Sequence, residues 1–527
     1  MSAALTGTGA LIRLILRRDR IRATVWMVGV AALVLSAAAS QVSIYTTAAE
    51  RASYAAAMGG NPAVLAMSGP GYALDTLGGI VAFEIGVTGY LALALMSVLL
   101  VVRHTRAEEQ TGRTELLRAG RLGRHAGLTA ACCVVGAIGL LVSGVIGAGL
   151  VLLGLPGAGS VAMAASFAAV ALVFTAIGAL AAQLTTAARG ASGIGVAALG
   201  AAFVLRAAGD AGDTWLSWLS PIGWAQALRP FAGERWAVLG LPLVTTGVLL
   251  GAALALSSHR DVGAGLLATR AGPATASARL AGPLGLTVRL QRATLVAWCS
   301  GLFVLGLAYG SVGESVEELA ADNDAMAELI AASGTDVVDA FFVIAATMLA
   351  LVVGGLGLQS ALRLRAEESA GRVEPLLATA ASRPAVLGAH VVVAVVGSTV
   401  ALACAGVGLG TAHALLTGDA TQLPRLTAAV LAQAPAVWLL VGLAAALFGV
   451  LPRAAPLVWA VLAASVVIAL LGEPLRLPGW VRDLSPFTHV PQLPEQTMSW
   501  PPLVALTACG AVLAAVGMWA FTRRDVG

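Results

Sequence analysis

Arg106-Ala-Glu-Glu-Gln-Thr-Gly-Arg-Thr-Glu-Leu-Leu-Arg-Ala-Gly-Arg-Leu-Gly-Arg124 returns 259 residues later as Arg365-Ala-Glu-Glu-Ser-Ala-Gly-Arg-Val-Glu-Pro-Leu-Leu-Ala-Thr-Ala-Ala-Ser-Arg383. Ten of the 19 positions are identical in register, among them Arg106/Arg365, Glu108/Glu367, Glu109/Glu368, Gly112/Gly371, Arg113/Arg372, Glu115/Glu374 and Leu117/Leu376. Each copy directly follows an apolar run long enough to cross a bilayer. An internal repeat whose best-matched part is a charged loop between such runs points to a fused pseudo-dimer that presents the same handle twice.

The surrounding composition sets the fold class. With 58% hydrophobic residues, 11% charged residues and a mean hydropathy of +0.89, the chain reads as an all-α polytopic membrane protein. A bilayer core about 30 Å thick needs roughly 20 apolar residues per helix. On that measure twelve spans are expected: 22–41, 80–102, 127–153, 161–186, 190–208, 237–256, 293–312, 339–361, 386–411, 427–450, 455–472 and 502–521. They group as a first six-span half (1–256), a Gly/Ala/Ser/Thr-rich linker (257–284) and a second six-span half (285–527). Each half has an even number of spans, so the repeats share one orientation and are related by an axis along the membrane normal. The 62 glycines and abundant alanines predict close helix packing through small-residue faces. Alternating-strand patterns are absent, which argues against a membrane β-barrel.

All 31 basic residues are arginine. With the N-terminus cytoplasmic, only Arg51, Arg206, Arg229, Arg235, Arg425, Arg476 and Arg482 fall on the outer side. That asymmetry predicts both termini in the cytoplasm. The outer segment after span 7 is acidic, with Glu314, Glu317, Glu318, Asp322, Asp324, Glu328, Asp336 and Asp339. Outer loops 42–79 and 313–338 are long enough to form short surface helices. The arginine-rich N-terminus resembles a signal peptide. Its apolar run is longer than a typical h-region, however, and the same Arg-then-Trp pattern recurs before span 7, so the first span is expected to be retained.

Other segments repeat as well. Leu14, Arg17, Arg20, Trp26 and Gly29 match Leu286, Arg289, Arg292, Trp298 and Gly301, and Trp215 with Leu219-Ser-Pro221 matches Trp480 with Leu484-Ser-Pro486. The basic lead-ins suit amphipathic helices lying in the inner interface. The Trp/Pro-rich segments suit the outer one.

Within the repeated loops, Gly112 and Gly371 interrupt the helices leaving spans 2 and 8 and are expected to start a second short helix as N-caps. Glu115 and Glu374 then fall in its first turn, where a carboxylate complements the helix dipole, and Pro375 is tolerated there. Glu109/Arg113 and Glu368/Arg372 stand four apart and would support a continuous helix. Leu116, Leu117, Leu376 and Leu377 offer an apolar knob. A positive-inside anchor requires the arginines but not this pattern of glutamates, so the loops are read as docking elements for a soluble protein.

At these residues the chain resembles a known family. Arg-x-Glu-Glu-x-x-Gly-Arg-x-Glu-x-Leu-Leu, present twice, is similar to the first inner loop of ABC type-2 exporter permeases. The fused twelve-span layout resembles the polyketide-antibiotic (tetronasin-type) exporter permeases of actinobacteria. The resemblance implies a multi-pass protein of the bacterial cytoplasmic membrane that exports hydrophobic small molecules, antibiotic-like or lipid-like. It also implies that the loops are coupling helices contacting a separate ABC ATPase. That role is carried onto Glu108, Glu109, Gly112, Arg113, Glu115 and Leu117, and onto Glu367, Glu368, Gly371, Arg372, Glu374 and Leu376. The second loop has Pro375 and lacks the arginines matching Arg118 and Arg121, so the two contacts are expected to be unequal.

A chain without lysine cannot contain the phosphate-binding Gly-x-x-x-x-Gly-Lys-Ser/Thr loop. No cofactor is therefore expected on it. ATP and magnesium belong to the partner, of which two loops predict two copies. The alternative is a proton-coupled twelve-span antiporter, which needs ionisable relays in the membrane. The spans carry one clear carboxylate, Glu84, near the outer end of span 2, where either a substrate role or simple snorkelling would account for it. Nothing points to nucleic acid. His104, His125, His259, His390, His413 and His489 form no metal-binding or catalytic spacing, and Cys132, Cys133, Cys299, Cys404 and Cys509 read as apolar filler. No enzyme motif is present. The substrate path is expected between the halves along spans 2, 5, 8 and 11, with Phe83, Glu84, Tyr90, Phe203, Phe342, Met348 and Trp459 as candidates that ordinary helix packing would equally explain.

Overall fold

A computed structural model describes residues 3–59, 62–113, 115, 122–212, 214–260, 264–266, 274–275, 277, 280, 282–321, 337–471 and 477–525. Among these residues all regular structure is helical, and eleven helices are long and apolar enough to cross a membrane. The chain forms two compact units, Met1–Ala271 and Gly272–Gly527.

Unit 1 begins with α1 (Thr8–Arg18), which carries Arg17 and Arg18 in its last turn where they complement the helix dipole. The backbone breaks at Asp19, and α2 (Arg20–Ile44) follows. The expected short helices in the 42–79 loop are α3 (Ala48–Met58) and α4 (Pro62–Ser68). A capping box starts α3: Glu50 N–H donates to the Thr47 hydroxyl at 3.2 Å, and Thr47 N–H donates back to the Glu50 carboxylate at 2.8 Å. Then come α5 (Leu77–Val102), α6 (Ala126–Leu152), α7 (Gly157–Leu184), α8 (Ala188–Ala211), α9 (Pro221–Ala227) and α10 (Gly240–Ser258). The core lies around α5 and α7, where Leu93, Met96, Val98, Phe167, Val170 and Phe174 are fully buried. A Cβ placed at Gly178 would sit 3.2 Å from the Val98 Cα, so the absence of a side chain is what lets these two backbones approach.

Unit 2 contains α11 (Pro283–Ala321), α12 (Val337–Ala361), the short α13 (Arg363–Ser369) and α14 (Val373–Leu377), and α15 (Arg383–Thr417). It continues with α16 (Gln422–Leu431), α17 (Ala434–Val450), α18 (Val458–Leu471) and α19 (Trp500–Arg523). Glycines again set the packing. A Cβ at Gly306 of α11 would meet the Ala405 carbonyl of α15 at 2.1 Å, and one at Gly449 of α17 would meet the Gly517 carbonyl of α19 at 2.1 Å.

Several expectations change here. The second lead-in is not a separate interfacial helix: it runs unbroken into α11, 39 residues long. The position matching Asp19 is Gln291, which stays helical and accepts a hydrogen bond from the Ser360 hydroxyl, whereas Asp19 sits at a break and accepts from Arg103. The segment expected as span 11 forms the 14-residue α18, shorter than a bilayer crossing requires, and 472–476 lie outside the described residues. Half of the linker 257–284 is also outside them, but its start is packed rather than loose: Leu266 N–H donates to the Gln183 carbonyl at 3.3 Å. Most of the acidic segment 313–338 is likewise outside the described side chains. Asp339 beyond it pairs with Arg425.

Candidate coupling loops in the two units

The first loop grows directly out of α5. The helix passes through one π turn (Arg103–Ala107), then Glu108–Gln110, and stops at Gly112 with φ +72°. Consecutive glutamates beyond this turn point to different partners. Glu108 accepts two hydrogen bonds from Arg18 at the end of α1, at 2.9 and 2.5 Å, and lies 3.6 Å from Arg113. Glu109 accepts from Arg260, beyond α10, through both terminal nitrogens at 2.9 and 2.7 Å, and also pairs with the wholly buried Arg106. Arg260 Nε donates to the Gln183 side chain of α7 at 2.7 Å, and both Arg106 and Arg260 donate to the Ala264 carbonyl. One turn earlier, Arg103 grips Asp19 at 2.7 and 3.1 Å, with buried His104 3.6 Å from the same carboxylate. The Arg103 hydrogen bond holds the Asp19 carboxyl below the usual carboxylate range despite its partial desolvation. The Gln110 side chain accepts from Ala188 N–H at the start of α8 at 3.0 Å. The loop is therefore tied to the ends of α1, α7, α8 and α10. Beside it a cavity of about 100 Å³ is walled by the apolar Leu11, Leu14 and Ile15 of α1.

The second loop repeats the plan with different supports. Glu367 pairs with Arg372 and lies 3.6 Å from Arg363. Glu368 accepts from Arg524, beyond α19, at 2.8 Å to each carboxylate oxygen. The Arg524 guanidinium lies over the Phe448 and Phe521 rings, 4.7 and 5.1 Å from their centroids.

Two expectations about the loops are corrected. Arg113 and Arg372 face Glu108 and Glu367, five residues back, rather than Glu109 and Glu368. The reason is that each glycine adopts the left-handed conformation, Gly112 at φ +72° and Gly371 at φ +67°, and ends the helix before it. Helix resumes directly at Arg113, with Glu115 N–H donating to the Gly112 carbonyl at 3.2 Å as expected of a start there, whereas the second loop restarts one residue later. In the second loop Gly371 N–H donates to the Glu368 carbonyl at 2.9 Å and Arg372 N–H to the Glu367 carbonyl at 3.0 Å, a paired cap that satisfies the final carbonyls. The helix α14 then starts from Arg372. Leu376 and Leu377 form no protruding knob: both are half-buried against a cluster of Leu364, Val373, Val386, Phe448 and Phe521. Glu115, Glu374, Arg113 and Arg372 are exposed, whereas Glu109 and Glu368 face inward. Leu117 lies outside the described residues, with Leu116, Arg118 and Arg121.

The other candidates do not gather in one place within either unit. Phe83 belongs to a small cluster with Tyr54, Leu74 and Ile80, and Glu84 beside it accepts a hydrogen bond from the Tyr54 hydroxyl. Tyr90 is buried, 3.0 Å from the Ser166 hydroxyl and packed on Phe167. Phe203 is half-buried under the Arg206 guanidinium, whose nitrogens bond the Leu65 and Met67 carbonyls of α4. Phe342 is core, against Phe341 and His413; Met348 is half-buried in the same unit, and Trp459 is exposed.

Sequence reading missed Arg260, Arg524 and Gln183. A signal for the two arginines was present: Arg260-Asp-Val-Gly263 and Arg524-Asp-Val-Gly527 are identical tetrapeptides 264 residues apart, each following the last helix of its unit.

Comparison with known proteins places the chain in a family. Residues 280–522 match the family model described as the C-terminal domain of the multidrug efflux system permease Rv1217c. Over 535 aligned residues the chain is 41% identical to the multidrug efflux system permease protein Rv1217c of Mycobacterium tuberculosis, covering 99% of this chain and 95% of that protein. With that alignment spanning both units, the chain belongs to the family of multidrug efflux system permeases represented by Rv1217c.

Proposed function

We propose that this chain is the membrane-embedded permease of an ATP-driven exporter that moves hydrophobic small molecules, antibiotic-like or lipid-like, out of the cell. In this reading it crosses the membrane twelve times as two parallel six-span repeats, with both termini cytoplasmic, and two copies of a separate ABC ATPase dock on its two loops. The ATPase supplies ATP and magnesium chemistry; the permease supplies the path. The observation that carries the reading is the twice-built loop: in each unit the inward glutamate is locked to the end of the last helix, while Glu115 or Glu374 stays exposed just beyond a left-handed glycine. Such an element is rigidly backed on one side and open on the other. It suits receiving a push from a docked protein better than lining a path.

The family relation supports efflux of chemically varied compounds. The fine assignment to tetronasin-type exporters rests on the layout resemblance. In inverted membrane vesicles carrying the chain and its co-expressed ATPase, ethidium uptake should require hydrolysable ATP and survive a protonophore. Uptake abolished by the protonophore and indifferent to ATP would favour a proton-coupled antiporter instead.

A further inference from the structure

Arg260 and Arg524 stand at equivalent places and do the same thing by different means. Each lies just past the last helix of its unit, α10 or α19, within an identical Arg-Asp-Val-Gly tetrapeptide. Each closes a two-oxygen grip on the second glutamate of the repeated loop. Arg260's partner Gln183 belongs to α7, and the position 265 residues beyond Gln183 is Phe448 of α17. In unit 1 the guanidinium is braced by the Gln183 amide oxygen, and in unit 2 by the Phe448 ring. The sequences of the braces have diverged while the grip and its place have not. A charged pair taken out of water twice, with most of each side chain covered, is costly to build for stability alone. Such a pair is better suited to fixing one relative position of two elements than to adding cohesion.

We propose that Arg260 and Arg524 are positioning residues that couple each loop to the last helix of its unit, so that displacement of a loop is delivered to α10 or α19. The idea rests on the coupling-loop reading for the source of the push, but the mechanical link itself is independent of which energy source drives it. Arg260 sets one terminal nitrogen on each carboxylate oxygen while Nε takes the brace, and Arg524 meets both oxygens through Nη2 while the rest of its planar guanidinium lies over the ring. Lysine keeps the charge but, with a single nitrogen and no planar group, cannot hold carboxylate and brace in this way.

The test uses the full-length chain in cells and measures ethidium efflux alongside the melting temperature of the detergent-extracted protein. Arg260→Lys and Arg524→Lys should each lower efflux about tenfold or more with little change in melting temperature. The reciprocal exchange in the second unit, Glu368→Arg with Arg524→Glu, places the same charges in reversed order and should recover efflux relative to Arg524→Glu alone. In ATP-energised vesicles, hydrolysis should persist in the lysine variants while transport falls, so that fewer ethidium molecules move per ATP. Wild-type efflux in Arg260→Lys, or transport and melting temperature falling together, would overturn the proposal. If the wild-type chain transports but neither retains an ATPase nor responds to ATP, the docking reading fails, and the lysine and exchange variants still decide the latch.

Discussion

Arg260 holds Glu109 with Nη1 and Nη2 on separate carboxylate oxygens, at 2.9 and 2.7 Å, and both side chains are more than nine-tenths covered. Glu109 simultaneously neutralises Arg106, whose side chain is entirely buried. Removing the carboxylate charge would leave two arginines facing each other out of water. Glu109→Gln should therefore destabilise the detergent-solubilised protein by about 3 kcal/mol, read as a fall in melting temperature. Glu108→Gln breaks a pair whose arginine is 34% exposed and should cost under about 1 kcal/mol. Equal losses from the two substitutions would show that burial is not what separates them.

Docking is tested at the exposed glutamates. Glu115→Arg combined with Glu374→Arg should abolish export and release the ATPase while the protein still inserts and folds. Each carboxylate contributes only about 0.3–1 kcal/mol to its own helix start, whereas like charges forced together across an interface cost several kcal/mol. Because Pro375 and the missing arginines make the loops unequal, Glu115→Arg alone should do more damage than Glu374→Arg alone. Co-purification of the ATPase with each variant measures this; undiminished binding and export in the double variant would return both loops to simple anchors.

Orientation is read with impermeant thiol reagents on a cysteine-free background. Asp324→Cys should react in intact cells and Gly112→Cys should not. The opposite labelling pattern would place the loops outside the cell and remove the basis for ATPase docking.

Glycine positions separate two physical demands. Gly371 has φ +67° with open space where a Cβ would go, so Gly371→Ala should cost about 1 kcal/mol and leave folded protein. Gly449 faces the Gly517 carbonyl at 2.1 Å from a would-be Cβ, so Gly449→Ala must push α17 from α19. That overpacking should cost about 2 kcal/mol or more. Size-exclusion profiles and melting curves of the two variants, compared side by side, check the difference.

Asp19 gives a pH dependence. Its carboxyl is lowered from 3.8, chiefly by the Arg103 hydrogen bond. A depressed acid adds stability above its unfolded pKa and loses that contribution as pH falls through the folded value. Melting temperature should therefore fall on acidification from about pH 5 to pH 2, and Asp19→Asn should flatten part of that slope. An identical slope in the variant would remove Asp19 from the account.

The sequence by itself determined the membrane class, the helical character, the doubled loop and the exposed glutamates at its rim. Those properties are local or additive: hydropathy sums along a run, and a repeat is visible wherever two copies align. It could not say which way each glutamate turns. Glu108 and Glu109 are adjacent and alike in charge, yet one turns to Arg18 and the other to Arg260, which lies 151 residues away. Nor could it tell that Leu376 folds inward onto Phe448 and Phe521, or that one lead-in breaks at Asp19 while the other runs on through Gln291. Those outcomes depend on which distant side chain arrives opposite. In a low-dielectric interior an unpaired charge is too costly to leave, so the tertiary structure, by delivering Arg260 and Arg524, decided which glutamates became internal links and which stayed at the surface.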